Sequence, residues 1–161
     1  MTGLDFVSLD RAVAGDGFEP RLSSPLCRAL EGSDRVLDLS FLGKIEVRGD
    51  VDAINGDLEV VRITPQRALV LCAPEEAAAL RDRLPGMVID MTAALAGLEL
   101  HGVRTLRRLT DLDLDALPAV GRVADVPCLV LRNGDSFRLF FPQEYGHSVA
   151  EVVLDVLKGL E

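Results

Sequence analysis

The sequence predicts an α+β fold built from two copies of one antiparallel-sheet-plus-helix unit. The first observation behind this is a repeated phrase. Asp38-Leu-Ser leads to Lys44-Ile-Glu-Val-Arg-Gly49, and Asp90-Met-Thr leads to Gly97-Leu-Glu-Leu-His-Gly102. In both, polar and apolar residues alternate up to a glycine, the period-2 pattern of a half-buried strand that ends in a turn. The second is a repeated ending. Leu69-Val-Leu-Cys-Ala-Pro74-Glu-Glu resembles Leu139-Phe-Phe-Pro142-Gln-Glu, each an apolar strand running into a proline-opened helix. The third is a difference in length. The stretch from Gly49 to Pro74 is much shorter than that from Gly102 to Pro142, and what it lacks corresponds to a helix over Val103–Leu109 and an acidic connector. The copies span roughly residues 36–86 and 87–160 of a single domain covering 1–161, with mostly antiparallel sheets.

Residues 1–24, with Gly15, Asp16, Gly17 and Pro20 close together, read as loosely organised. Ser24-Pro25-Leu26 opens a short helix to Leu30, since serine is a good N-cap and proline fits the first helical position. Val36 to Ser40 and Lys44 to Arg48 read as strands, followed by a turn-rich segment to Asp57. Leu58 to Ile63 and Ala68 to Cys72 are two more, joined through Thr64-Pro65-Gln66. Pro74-Glu75-Glu76 starts a helix whose first-turn carboxylates complement its dipole, with Ala77, Ala78, Leu80 and Leu84 as the buried stripe and Pro85-Gly86 as the stop. Val88 to Leu100 supplies further strands. Past Gly102 the apolar positions become Val103, Leu106 and Leu109, one face of a helix. Val120 to Val126, Cys128 to Arg132 and Ser136 to Phe141 finish the sheet, the last two joined by Asn133-Gly134-Asp135, a strong hairpin signal. The longest helix follows Pro142, with Tyr145, Val149, Val152, Val153, Val156, Leu157 and Leu160 as its apolar stripe.

Composition narrows the function classes. The 161 residues suffice for one sizeable core, and 48% hydrophobic content argues for a packed globular protein. A net charge of −9, from 26 acidic and 17 basic residues, disfavours nucleic acid and anionic membrane as partners. Cys27, Cys72 and Cys128 lie far apart, and with two histidines in the chain no metal-ligand spacing appears. Cys72 and Cys128 sit in apolar runs, where a buried reduced thiol is expected. The first residues show no basic stretch followed by an apolar one, and no run approaches the roughly 20 apolar residues of a bilayer span, so a cytoplasmic protein is expected. Gly-rich phosphate loops and nucleophile-elbow glycines are missing, so no catalytic residue is visible.

Several pieces resemble the folate-binding region of the glycine cleavage T protein (aminomethyltransferase). These are Asp38 through Gly49, Gly56-Asp57-Leu58-Glu-Val, Leu98-Glu-Leu-His-Gly102 through Leu109, and Phe137 to Tyr145. Ser24-Pro25-Leu26, Leu42-Gly-Lys-Ile-Glu-Val-Arg-Gly49 and Leu106 to Leu114 are more similar to the gamma subunit of heterotetrameric sarcosine oxidase. The resemblance covers roughly residues 23–158 and implies the aminomethyltransferase N-terminal, folate-binding type of domain. It sets Asp57 at the place of the carboxylate that contacts folate, with tetrahydrofolate the one candidate cofactor. The T protein's elements before that carboxylate are the part cut back in the first copy. The implied function is therefore a non-catalytic, gamma-like subunit of a sarcosine-oxidase-type flavin amine oxidase, packed against larger flavoprotein subunits. The alternatives are a stand-alone folate-binding or one-carbon-transfer protein and a self-associating protein that uses an open sheet edge.

Two candidate sites follow. Asp57 is either the pterin-contacting carboxylate or an Asn-Gly-Asp turn residue bonding its own backbone. His101, Arg104, Arg107 and Arg108 gather positive charge near a helix start, as an anion site, a partner contact, or a solvated face that balances the acidic connector. His147, one turn into the last helix with no nucleophile beside it, reads as a surface residue.

Overall fold

The structure is a computed structural model that describes residues 23–160, so the loosely organised start lies almost wholly outside the described residues. In chain order the strands and α-helices are β1 (Val36–Asp38), β2 (Gly43–Arg48), β3 (Glu59–Thr64), β4 (Arg67–Cys72), α1 (Ala77–Arg81), β5 (Met87–Asp90), β6 (Leu95–His101), α2 (Val103–Leu109), β7 (Ala119–Val123), β8 (Val126–Asn133), β9 (Ser136–Pro142) and α3 (Gly146–Lys158). Two sheets result, one ordered β1-β6-β9-β8-β7 and the other β3-β4-β2-β5, with every neighbouring pair antiparallel. This is the mixed α+β architecture with antiparallel sheets that the alternating patterns predict.

The two strand orders correspond if β1 is set against β5, β2 against β6, β3 against β8 and β4 against β9. Each half then lends its first strand to the other half's sheet, because β1 pairs with β6 and β5 pairs with β2. The Asp-x-Ser/Thr phrase makes both crossings. Ser40 N donates to Asp38 Oδ1 at 2.8 Å and Thr92 N donates to Asp90 Oδ1 at 2.9 Å, a local turn that ends each edge strand. The hydroxyls then accept from the opposite half, Ser40 Oγ from Gly97 N at 3.3 Å and Thr92 Oγ1 from Lys44 N at 3.0 Å. Leu39 N donates to Gly97 O and Met91 N donates to Lys44 O, both at 2.8 Å.

Four layers stack as helix, sheet, sheet, helix. α2 and α3 cover one face of the five-stranded sheet, where Leu106, Val149 and Val153 meet Leu98, Leu100, Val130 and Leu139. Leu39, Val61, Leu69, Leu71, Leu129, Leu131 and Phe140 fill the space between the sheets. α1 places Ala77 and Leu80 on Ile45, Val47 and Val70 of the other outer face.

Five expectations change. The strand expected over Val120–Val126 is interrupted by a two-residue hairpin turn at Ala124-Asp125, with φ of 48° and 63°. Such turns favour Asn and Gly, so Ala124 hides the signal. The helix expected from Ser24 to Leu30 is a run of turns held mostly by i→i+3 bonds, with Ser24 Oγ accepting from Leu26 N at 3.0 Å. Between the corresponding strands, the second half carries β7 as well as α2 and the connector, where the first has a single 3-10 turn at Val51–Ala53. On α2, Thr105 is buried with Leu106 and Leu109, and Val103 is 38% exposed. On α3 the buried stripe is Val149, Ala150, Val153 and Leu157, which leaves Tyr145 and Val152 each 42% exposed. Gly146 sets that helix's orientation: an added Cβ would stand 2.8 Å from Pro25 Cβ, so only glycine permits this approach.

Candidate functional site

Strand alternation decides what lies between the sheets. Residues 44 and 46 of β2, and their counterparts 97 and 99 of β6, point at the facing sheet, whereas Ile45 and Leu98 point outward into helix-covered cores. Lys44 has no exposed surface, and its ammonium donates to Ser40 O and Leu42 O, each at 2.7 Å. Burial lowers its pKa to about 8, against the pull of Asp38 and Asp90. Enclosed and fixed on two carbonyls, the amine has no path to a substrate.

Glu46, 2% exposed, accepts from Arg48 and, at 2.7 Å, from Arg67. Burial pushes its carboxyl up, but the bonds from Arg67 and Arg48 outweigh that and hold it below the usual carboxylate range. Glu99 is held low in the same way: burial opposes, and Arg138, Ser136 and Asn133 win. Arg138 donates to Glu99 at 2.8 Å and to both Glu59 oxygens at 2.9 and 3.0 Å, so one guanidinium ties the two sheets together. Among the described residues no buried side-chain nitrogen or oxygen lacks a hydrogen-bond partner. The Arg138–Glu59 bond joins the sheets, and each carboxylate of this layer is paired with an arginine.

A depression of about 490 Å³ opens where β3 and the 3-10 turn face Leu117-Pro118 and the end of β8. Val51, Ile54 and Leu131 give its apolar wall and Glu59, Arg62 and Arg132 its polar rim. Those charges are engaged: Arg62 with Asp52, Glu59 with Arg138, and Arg132 over the Phe137 ring at 5.4 Å. Asp57 is exposed in the turn before β3 and does not line this depression. An apolar crevice of about 190 Å³ opens elsewhere between the sheets, lined by Ile63, Leu69, Leu95, Leu129 and Phe140 with Glu46 and Arg67 among its polar residues.

His101 ends β6 and Gly102, at φ 92°, turns the chain into α2. Arg104 lies in the first turn of α2, and Arg107 and Arg108 lie in its last. The arginines therefore share a lateral face and do not ring the helix start. All three are exposed. His147 is exposed and stands 3.3 Å from Glu151 one turn further on. Among the described residues no group of three His, Cys, Asp or Glu side chains is placed to hold a metal ion. Cys128 is buried and Cys72 half-buried, both as free thiols.

Sequence reasoning missed the polar layer of Lys44, Glu46, Glu99 and Arg138. Alternation assigns such residues to water, and only the packing of a second sheet makes both faces of β2 and β6 interior. The one signal was the place of Lys44 and Gly97 at matching positions of the repeated phrase.

No family model matches the chain, and no curated protein matches it. Among solved structures, the fold is similar to that of a chain in the heterotetrameric sarcosine oxidase from Corynebacterium sp. U-96 in complex with pyrrole 2-carboxylate. That match has a TM-score of 0.67 at 18% identity and covers 86% of this chain and 95% of that one. The ligand-free regulatory subunit of aspartate kinase from Thermus thermophilus matches more loosely, at TM-score 0.46 and 12% identity over 75% of this chain and 96% of that one. The first of these likenesses establishes a shared fold with a chain of a heterotetrameric enzyme.

Proposed function

We propose that this chain is a non-catalytic, gamma-like subunit of a sarcosine-oxidase-type flavin amine oxidase, built on a duplicated folate-domain scaffold whose first copy is cut back. The observation that carries this reading is the fold shared with a chain of the heterotetrameric sarcosine oxidase over 95% of that chain's length. The polar layer between the sheets supports it, because its carboxylates are paired with arginines and its lysine is held on two backbone carbonyls. Larger flavin-carrying subunits are then the partners. The tagged chain, recovered from its native host, should elute with larger polypeptides and with flavin absorbance. A lone, stable monomer from that host would overturn the reading.

The second reading, a stand-alone folate-binding or one-carbon-transfer protein, is favoured by the depression of about 490 Å³. Its test is calorimetric titration with tetrahydrofolate. Micromolar affinity that Arg132→Ala, in the wall of the depression, abolishes would replace the subunit reading. Absence of heat would remove the folate-binding reading.

A further inference from the structure

α2 carries positive charge that nothing in the described fold neutralises. Arg104, Arg107 and Arg108 are spaced i, i+3, i+4, so they share the face opposite buried Thr105, Leu106 and Leu109. None of the three makes an ion pair or hydrogen bond among the described residues. Elsewhere Arg48, Arg62, Arg67, Arg81, Arg122 and Arg138 each sit on a carboxylate, and Arg132 lies over the Phe137 ring; no other helix face among the described residues groups three arginines in this way. Acidic residues outnumber basic ones 26 to 17, yet none among the described residues pairs with this helix face.

Helix electrostatics explain only part of the arrangement. Arg107 and Arg108 fall in the last turn, where a cation complements the helix dipole. Arg104 falls in the first turn, where a cation opposes it, so the helix itself gives no reason for that residue. Apolar surface lies alongside. A depression of about 330 Å³ between Arg108 and α3 is walled by Val152, Val156 and Leu160, and its one carboxylate, Asp155, is paired with Lys158. Val152 is 42% exposed and Val103, at the start of α2, is 38% exposed. Arginines around an exposed apolar strip have the make-up of a protein–protein contact.

Resting on the subunit reading, we infer that the α2–α3 face is the docking surface for the larger subunit. What meets it is an acidic segment of that subunit, its carboxylates on the three arginines and an apolar side chain in the depression. Charge complementarity selects this occupant. A short carboxylate segment feels the patch within a Debye length of about 10 Å, whereas a long phosphate polymer also meets the repulsion of a chain with net charge −9.

The test compares tagged wild type, the double variant Arg104→Glu with Arg108→Glu, and Phe41→Ser, each recovered from the native host and read by flavin absorbance per tagged chain. Phe41 is the control because it is 51% exposed after the edge strand β1, outside the α2–α3 face. The double variant should lose flavin roughly tenfold or more, Phe41→Ser should keep it, and raised salt should weaken wild-type recovery. The single variant Arg104→Glu guards against misfolding: a first-turn glutamate suits the helix dipole, so its melting temperature should hold while its flavin falls. Undiminished flavin in the double variant overturns the docking surface and leaves the subunit reading standing. No flavin with the wild type overturns the subunit reading and the docking surface with it. Nucleic acid that elutes with the wild type and is lost in the variant overturns the acidic-segment assignment.

Discussion

A lysine with no exposed surface needs a reason, and Lys44 has one in its two acceptors, the carbonyls of Ser40 and Leu42 in the crossing from β1 to β2. Below about pH 8 the native and unfolded chains both hold the proton, and the cost of a buried charge is borne in full. Between about 8 and 10.5 the native chain releases it while the unfolded chain keeps it, so stability rises with pH across that window. The rise is on the order of 3 kcal/mol. Lys44→Met should abolish this slope in urea midpoints taken between neutral and alkaline pH. Near neutrality the variant should differ little, because losing the buried charge offsets losing two hydrogen bonds at about 1 kcal/mol each. An alkaline rise that persists in the variant would exclude Lys44 as its source. Glu46 works with the opposite sign. Its folded pKa lies below the unfolded value of 4.5, so its contribution is present above that value and is lost as pH falls through the folded one. Glu46→Gln should cost about 2 kcal/mol at neutral pH, the scale of a charge-assisted bond to arginines that remain half in water. Chemical denaturation at neutral and acid pH measures it: the deficit should shrink in acid, where the wild-type carboxyl is also protonated.

At the scale of strands, the matching positions of β2 and β6 solve one packing problem in two ways. Lys44 stands across from Leu71, and Gly97 stands across from Phe140. The ring occupies the space a side chain at 97 would take: an added Cβ would lie 2.8 Å from Phe140 Cε1 and 3.2 Å from Leu39 Cβ. Gly97→Ala should therefore cost about 1–3 kcal/mol through overpacking. Phe140→Leu should cost a similar amount through the cavity it leaves. The double variant should cost less than their sum, a coupling that four thermal melts would measure, and strict additivity would refute the packing account. Elements set by local chemistry were legible in the sequence: the glycine-ended strands, the proline-opened helices, and the Gly134 turn, whose φ of 60° at its first position suits glycine. Elements set from a distance were not. The Ala124-Asp125 turn is held by Ala124 N on Leu109 O at 2.8 Å, a bond from the end of α2 that no local pattern announces. The face that α3 buries depends on Gly146 meeting Pro25, more than a hundred residues earlier in the chain. The candidate site divides the same way. The arginines of α2 were visible as a charge cluster, but their lateral grouping and lack of partners come only from the helix ends and the surrounding fold.

For the whole molecule, the exchange of edge strands makes each half depend on the other. Cut between residues 86 and 87, the first part keeps β1 without β6, the strand it pairs with, and β2 without β5. The core between the sheets is divided as well, with Leu39, Val61, Leu69 and Leu71 from one part and Leu129, Leu131 and Phe140 from the other. The bond from Arg138 to Glu59 would also be cut, which leaves a guanidinium and a carboxylate without each other. A fragment of residues 23–86 therefore exposes one whole face of its sheet and two unpaired strand edges, more than its small remaining core under α1 can offset. It should be unfolded alone, by circular dichroism and amide dispersion, and should regain strand signal when mixed with residues 87–160. The intact chain should unfold in one transition by all probes. A dispersed amide spectrum from the first fragment alone would show that the exchange is decoration on two self-sufficient halves, and the interdependence argued from these bonds would fall with it.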